Sequence, residues 1–162
     1  MSDPILIREV RRADDAQLSV LIKAVMTEIG ACGEGYSIND SEVLAMSQNY
    51  DGHRSGYFVL EVDGVIVGGG GFAPLTGASP EICELRKMYY YPSARGLGKA
   101  QEMIELIFAR AKAAGYTKMY LETIESASAA RRLYERNGFT QIGCAQGNTG
   151  HSSCDTFYER EL

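Results

Sequence analysis

The stretch Tyr89-Tyr90-Tyr91-Pro92-Ser93-Ala94-Arg95-Gly96-Leu97-Gly98-Lys99-Ala100 joins two different hydrophobic periods. The residues from Glu81 to Tyr91 alternate and are rich in aromatic side chains, the pattern of a strand. From about Gly96 to Ala114, apolar residues recur at helical spacing, with Leu97, Ala100, Ile104, Ile107, Phe108 and Ala111 on one face. The Arg-Gly-x-Gly turn between them carries too little side chain to cover its backbone N–H groups. At a helix N-terminus those groups gather partial positive charge and bind phosphate or pyrophosphate. The first expectation is a small ligand carrying a diphosphate.

Working outward, Lys118–Thr123 reads as the next strand, so strand, helix and strand form a βαβ unit with parallel strands. Gly115 stops the helix. Upstream, Ile5–Arg11 alternates as a strand, and Asp14-Asp15 opens a helix with Leu18, Leu21, Ile22, Val25 and Met26 on one face. Gly30–Tyr36 is a glycine-rich loop. Asn39, Asp40 or Ser41 caps a short second helix running to about Asn49. Gly56–Val62 and Val65–Phe72 are strands joined by the hairpin signal Asp63-Gly64. Downstream, Ser128–Asn137 is a short helix stopped by Asn137-Gly138. Strands follow near Phe139–Cys144 and Asp155–Leu162, linked by the polar loop Gly147–Ser153. The order β-α-α-β-β-β-α-β-α-β-β predicts a mixed α/β sheet with helices on both faces, in one domain over residues 1–162.

The chain has 162 residues, 45% hydrophobic and 23% charged, the composition of a soluble globular domain. No apolar run is long enough for a membrane span. Met1-Ser2-Asp3-Pro4 does not start a signal peptide. A net charge of −5 gives no electrostatic reason to bind nucleic acid. None of the four cysteines forms a C-x-x-C pair. Cys83 falls in an apolar strand pattern and is expected in the core. Cys144, His151 and Cys154 offer three ligands at irregular spacing, so no metal is expected. A reduced, cytoplasmic protein is the simplest reading.

Three glycine-loop chemistries compete for the turn. A P-loop requires G-x-x-x-x-G-K-[ST], and Gly98-Lys99-Ala100 lacks both the spacing and the hydroxyl. A dinucleotide fingerprint requires a third glycine, where this chain has Gln101. Glu122 does end the next strand, about where that fold holds a ribose. That fingerprint, however, normally serves the first strand of a doubly wound sheet, and here the turn follows an antiparallel meander.

Arg95-Gly96-Leu97-Gly98-Lys99-Ala100 resembles the [RQ]-x-x-G-x-[GA] loop of the GNAT superfamily of N-acetyltransferases. The segment Ala130-Arg131-Arg132-Leu133-Tyr134-Glu135-Arg136-Asn137-Gly138-Phe139 is similar to that family's A-x-x-L-Y-x-x-x-G-F, and the element order agrees from end to end. Gly147-Asn148-Thr149-Gly150-His151 resembles a tail segment of one bacterial branch, which includes stand-alone enzymes. The resemblance implies the GNAT fold and transfer of an acetyl group from acetyl-CoA to a primary amine of a small molecule or protein. It implies that Arg95, Gly96, Leu97, Gly98, Lys99 and Ala100 bind the pyrophosphate. It further implies that backbone groups of Met88, Tyr89 and Tyr90 pair with pantetheine where the strand splays from its neighbour, and that Tyr134 points at the CoA sulfur as general acid. A homodimer is compatible with that fold. Many members carry Asn seven residues before the tyrosine; here the position is Ala127. Backbone groups, or Ser126 and Ser128, are the available substitutes.

The chemistry needs a base for the amine, a donor for the oxyanion and an acid for the thiolate. Glu84, eleven residues before Arg95, is the candidate base. It requires burial or a water relay, because an ordinary carboxylate is far too acidic for an ammonium. Its competing role is pairing with Arg86, two residues along the same strand face. His151 is a candidate substrate contact or alternative base. Gly68-Gly69-Gly70-Gly71 either leaves room for ligand or marks a bulge. The competing functional class is a domain that holds acyl-CoA without catalysis.

Overall fold

The computed structural model describes residues 4–50 and 52–162. The reading of the N-terminus as lacking a signal peptide therefore falls largely outside the described residues. The strands are β1 (Ile5–Glu9), β2 (Gly56–Val62), β3 (Val65–Pro74), β4 (Ile82–Tyr90), β5 (Lys118–Thr123), β6 (Thr140–Ile142) and β7 (Thr156–Glu161). The helices are α1 (Asp15–Glu28), α2 (Met46–Asn49), α3 (Lys99–Ala113) and α4 (Ser128–Arg136). The strands form one sheet in the order β1-β2-β3-β4-β5-β7-β6. Among the described residues, only β4 and β5 pair in parallel. That topology is not a doubly wound sheet, so the dinucleotide reading loses its fold.

Alternation along β2 shows how the sheet is covered on both faces. Tyr57 and Val59 pack with Leu18, Leu21, Ile22 and Met26 of α1. Phe58 and Leu60 pack with Met103, Ile104, Ile107 and Ala111 of α3. The α1 face holds the residues expected from periodicity. On α3, the expected stripe is corrected at its start. Leu97 lies ahead of the helix and is half exposed, while Met103, absent from the expected face, is fully buried. The helix begins at Lys99 rather than Gly96 because Gly96 and Gly98 both take the left-handed conformation, with φ of 81° and 74°.

The predicted second helix is broken into two 3₁₀ turns, Ser37–Asn39 and Ser41–Leu44, before the single turn of α2. Asp40 between them is extended, with ψ 133°, because its carboxylate is engaged across the molecule rather than as a cap. Asp63 and Gly64 both have positive φ, as a two-residue hairpin demands.

The glycine run resolves as a bulge packed against protein. Opposite β4, Gly69 pairs with Tyr89 and Gly71 with Arg86, so Gly70 faces the two residues Lys87 and Met88. A Cβ at Gly68 would lie 2.2 Å from the Tyr90 ring, and one at Gly71 would lie 2.3 Å from the Gly56 carbonyl. The glycines admit neighbouring side chains and backbone, and β3 with β4 can close only over them.

Candidate active site

The bulge sets the site. Cys83 and Leu85 face α3, but after the extra residue it is Met88 and Tyr90 that do so. Lys87 absorbs the change with φ 49°, and its carbonyl accepts a 2.7 Å hydrogen bond from the buried Tyr57 hydroxyl. The consequence is that the consecutive residues Arg86 and Lys87 both reach Glu42, on the α1 face.

Beyond this point β4 and β5 part. Their last paired residues are Glu84 and Tyr120. The opening V is lined on one side by Glu84–Tyr90 and on the other by Leu121–Ile124, and forms a cleft of about 480 Å³. The N-terminus of α3 and the first turn of α4 also open into it, as do Tyr134 and His151. Among the described residues, the backbone N–H groups from Gly96 to Gln101 donate no hydrogen bond. α3 also has no side-chain cap. These orphan donors lie where the sequence led us to expect an anion cradle.

Most of the expected site residues share this cleft. Glu84, Met88, Tyr89, Tyr90, Arg95, Gly96, Gly98, Ala100, Tyr134 and His151 line it, whereas Leu97 and Lys99 do not. Lys99 pairs with Glu102. The Arg95 guanidinium donates to the Tyr90 carbonyl at 2.8 Å and pairs with Glu28, so it ties the turn to β4 and α1. Ala127, at the start of α4, has no polar side chain to offer, and the Ser126 hydroxyl donates to the Ile29 carbonyl. The expected substitutes Ser126 and Ser128 both line the cleft, as does the uncapped start of α4, but the Ser126 hydroxyl is already engaged.

Tyr134 is buried, and its hydroxyl has no hydrogen-bond partner among the described residues. Burial raises its pKa, so it stays protonated. Glu84 is 4% exposed and accepts a 2.7 Å hydrogen bond from Arg86. The expected pairing and exposure to the cleft therefore coexist. Burial raises the Glu84 pKa against the opposing pull of Arg86.

His151 is not a free loop residue. Its Nε2 lies 2.9 Å from Asp40, and its Nδ1 lies 3.6 Å from Glu122. Asp40 first, then Glu122, pushes the imidazole up to about 9 despite the cost of burial. At neutral pH it is an imidazolium, which weakens its candidacy as a base. Glu122 is fixed by hydrogen bonds from Tyr120 at 2.7 Å and Thr149 at 2.5 Å. The ligand atoms of Glu84, Glu122 and His151 lie within 4.8 Å of one another, whereas Cys144 is exposed and takes no part. Sequence reasoning missed Asp40, Glu42 and Lys87 as part of this cluster. The signal was the adjacent pair Arg86-Lys87, which interrupts the alternation of a strand buried on both faces. Among the described residues, no helix is long and apolar enough to cross a membrane.

The splayed parallel pair, the uncapped helix beside it and the tyrosine in the cleft agree with the class of protein that comparison with known proteins identifies. The profile of the Acetyltransferase (GNAT) family matches residues 23–139. The Escherichia coli K12 protein YjgM, an uncharacterised N-acetyltransferase, is 37% identical over 158 residues, covering 97% of this chain and 95% of that protein. The chain belongs to the GNAT family and is, by class, an acetyl-CoA-dependent N-acetyltransferase. Its fold is similar to that of a GNAT acetyltransferase from Staphylococcus aureus Mu50, with TM-score 0.83 and 21% identity over 98% of this chain and 99% of that one. It is also similar to yncA of Salmonella typhimurium, a putative acetyltransferase solved with its cofactor acetyl-CoA (TM-score 0.78, 20% identity, 99% and 95% coverage). A third likeness is the PaiA N-acetyltransferase of Thermoplasma acidophilum, solved with coenzyme A (TM-score 0.74, 17% identity, full coverage of both chains).

Proposed function

We propose that this enzyme transfers the acetyl group of acetyl-CoA to a primary amine of a small molecule or protein by direct attack on the thioester. The observation that carries this reading is the run of unpaired N–H groups from Gly96 to Gln101, opening into the same cleft as Tyr134 and Glu84. Such a cradle suits the pyrophosphate of CoA. The splayed edge of β4 then suits pantetheine, as a pseudo-strand. The acetyl-CoA in the Salmonella neighbour and the coenzyme A in the Thermoplasma one support this donor.

In this reading Glu84 takes a proton from the acceptor ammonium, directly or through water. Its raised pKa narrows the gap to an amine. The freed nitrogen attacks the carbonyl carbon, and a β4 backbone N–H stabilises the oxyanion. On collapse the C–S bond breaks, the unpartnered Tyr134 hydroxyl gives its proton to the leaving sulfur, and the second proton lost by the attacking nitrogen restores the tyrosine; the proton first taken by Glu84 is the one that leaves. The products are the N-acetylated amine and CoA thiol, with the proton released to solvent. The four cysteines carry free thiols, two of them exposed, which supports a cytoplasmic location.

The test is thiol release from acetyl-CoA across an amine panel. Amine-dependent release is expected. Binding of CoA without release on any amine would instead identify a sensor domain, the reading that Ala127 in place of the family's asparagine favours.

A further inference from the structure

The end of the cleft at the apex of the V is a closed charge network. Arg86 meets Glu84 at 2.7 Å, the Pro74 carbonyl at 3.2 Å and Glu42 at 3.8 Å. Lys87, its side chain 2% exposed, meets Asp40 at 2.8 Å and Glu42 at 3.2 Å. His151 meets Asp40 and Glu122. Every cation lining this end of the cleft is therefore committed to a carboxylate. The anionic side is not saturated among the described residues: Glu42 Oε2 is buried without a hydrogen-bond partner, and Glu84 Oε2, on a residue that lines the cleft, accepts none either. Four carboxylates (Asp40, Glu42, Glu84 and Glu122) face three cations, Arg86, Lys87 and His151. The network is one cation short, and of the two residues with an unfilled oxygen only Glu84 lines the cleft. A buried anion without its counter-charge is costly, so the site favours a cation that can complete the set.

We propose that the acceptor docks as an ammonium beside Glu84 and is an amine on a plain alkyl carbon, such as an alkylamine or a lysine-like side chain, with no carboxylate or phosphate on the carbon bearing the nitrogen. This rests on the acetyl-transfer reading above and narrows its substrate. An anionic group next to the reacting nitrogen would face Glu84 and Glu122, where Arg86, Lys87 and His151 are all committed to carboxylates. Like charges brought together in a water-poor site oppose binding strongly. Met26 of α1 and Ile29 just beyond it line the same cleft and suit an alkyl chain. The raised pKa of Glu84 has the same origin, since a proton is the other cation that can fill the vacancy.

The test compares amines that differ only by the α-carboxylate, namely propylamine with 2-aminobutanoate and phenylethylamine with phenylalanine. Steady-state kcat/KM is measured with saturating acetyl-CoA. The carboxylate-free partner is expected to be favoured by roughly 30-fold or more, against the higher intrinsic fraction of free base in the amino acid. In Glu122→Gln, which removes one of the opposing charges, the ratio should fall below about tenfold. Equal or better turnover of the amino acids would overturn this substrate class while leaving acetyl transfer intact. Release on none of the amines, with CoA still bound, would overturn acetyl transfer and the substrate class together.

Discussion

The Lys87 ammonium lies 2.8 Å from the Asp40 carboxylate, 47 residues away in sequence, and it projects from a backbone with φ 49°. A side-chain-bearing residue in the left-handed region costs about 1–2 kcal/mol. The ion pairs with Asp40 and Glu42 hold it there, in surroundings that leave the ammonium nearly inaccessible. Lys87→Met therefore leaves two carboxylates without their shared cation. We expect a loss of about 3 kcal/mol in urea-denaturation free energy. Adding Glu42→Gln should restore part of it. A loss under about 0.5 kcal/mol would show that the pairs do not support the bulge.

The same Asp40 holds His151, and this link predicts a pH dependence of stability. The folded pKa of His151 is raised, from 6.5 to about 9. Its stabilisation is therefore complete below about 6.5 and is lost as pH rises through about 9. The full shift corresponds to roughly 3 kcal/mol. Asp40 is partly open to solvent, so screening reduces the expected loss to roughly 1–2 kcal/mol. His151→Gln should flatten that decline, read as the urea midpoint at pH 6, 7.5 and 9.5. An unchanged slope would show that His151 is not the titrating group.

Glu84 gives a separate prediction, on rate. As the base it must be ionised, and burial raises its pKa. Activity should fall as pH drops through a value above the ordinary carboxylate range, with the acidic limb of kcat/KM displaced upward. Glu84→Gln should lower kcat by roughly 100-fold or more, with CoA affinity unchanged. A variant with near-normal kcat and the same acidic limb would remove Glu84 from the proton-transfer step.

The sequence was most informative where periodicity or turn chemistry governs. β2 and β5 have the predicted limits, and the α1 face was correct residue for residue, because each is set by local apolar spacing. The parallel pairing of β4 with β5 was readable from the intervening helix. What lay beyond reach depends on contacts distant in the chain. The segment from Ser37 to Asn49 resembles one short helix locally. Asp40 is drawn out by Lys87 and His151, and Asp15 accepts hydrogen bonds from both the backbone N–H and the hydroxyl of Ser47. No local signal tells a strand lysine that it will meet a loop carboxylate, so the cluster around His151 emerged only with the fold.

Gly71 and Gly143 offer a controlled contrast in packing. A Cβ at Gly71 would lie 2.3 Å from the Gly56 carbonyl, which is backbone in the middle of the sheet and cannot step aside. A Cβ at Gly143 would meet nothing within 4 Å, and its backbone needs no positive φ. Gly71→Ala should cost roughly 2–4 kcal/mol and widen the bulge. Gly143→Ala should stay within about 0.5 kcal/mol of wild type. Equal effects at the two positions in thermal denaturation would mean that β3 can shift away from β2.

Tyr134 yields a prediction with two readouts that move in opposite directions. The residue is buried, but its hydroxyl opens into the cleft and has no hydrogen-bond partner among the described residues. Its ring packs at 5.8 Å from Phe139 and 6.2 Å from Tyr158. Removing the hydroxyl alone keeps that packing and breaks no hydrogen bond within the protein, so Tyr134→Phe should be neutral or stabilising by up to about 0.5 kcal/mol. If the hydroxyl meets the leaving sulfur, kcat should nonetheless fall by roughly 10- to 100-fold, with CoA affinity little changed. A tyrosine kept for structure predicts the reverse, a loss of stability with unaltered kcat. Thermal denaturation and thiol release on the same preparation distinguish the two, and a variant unchanged in both would assign the hydroxyl no role in either.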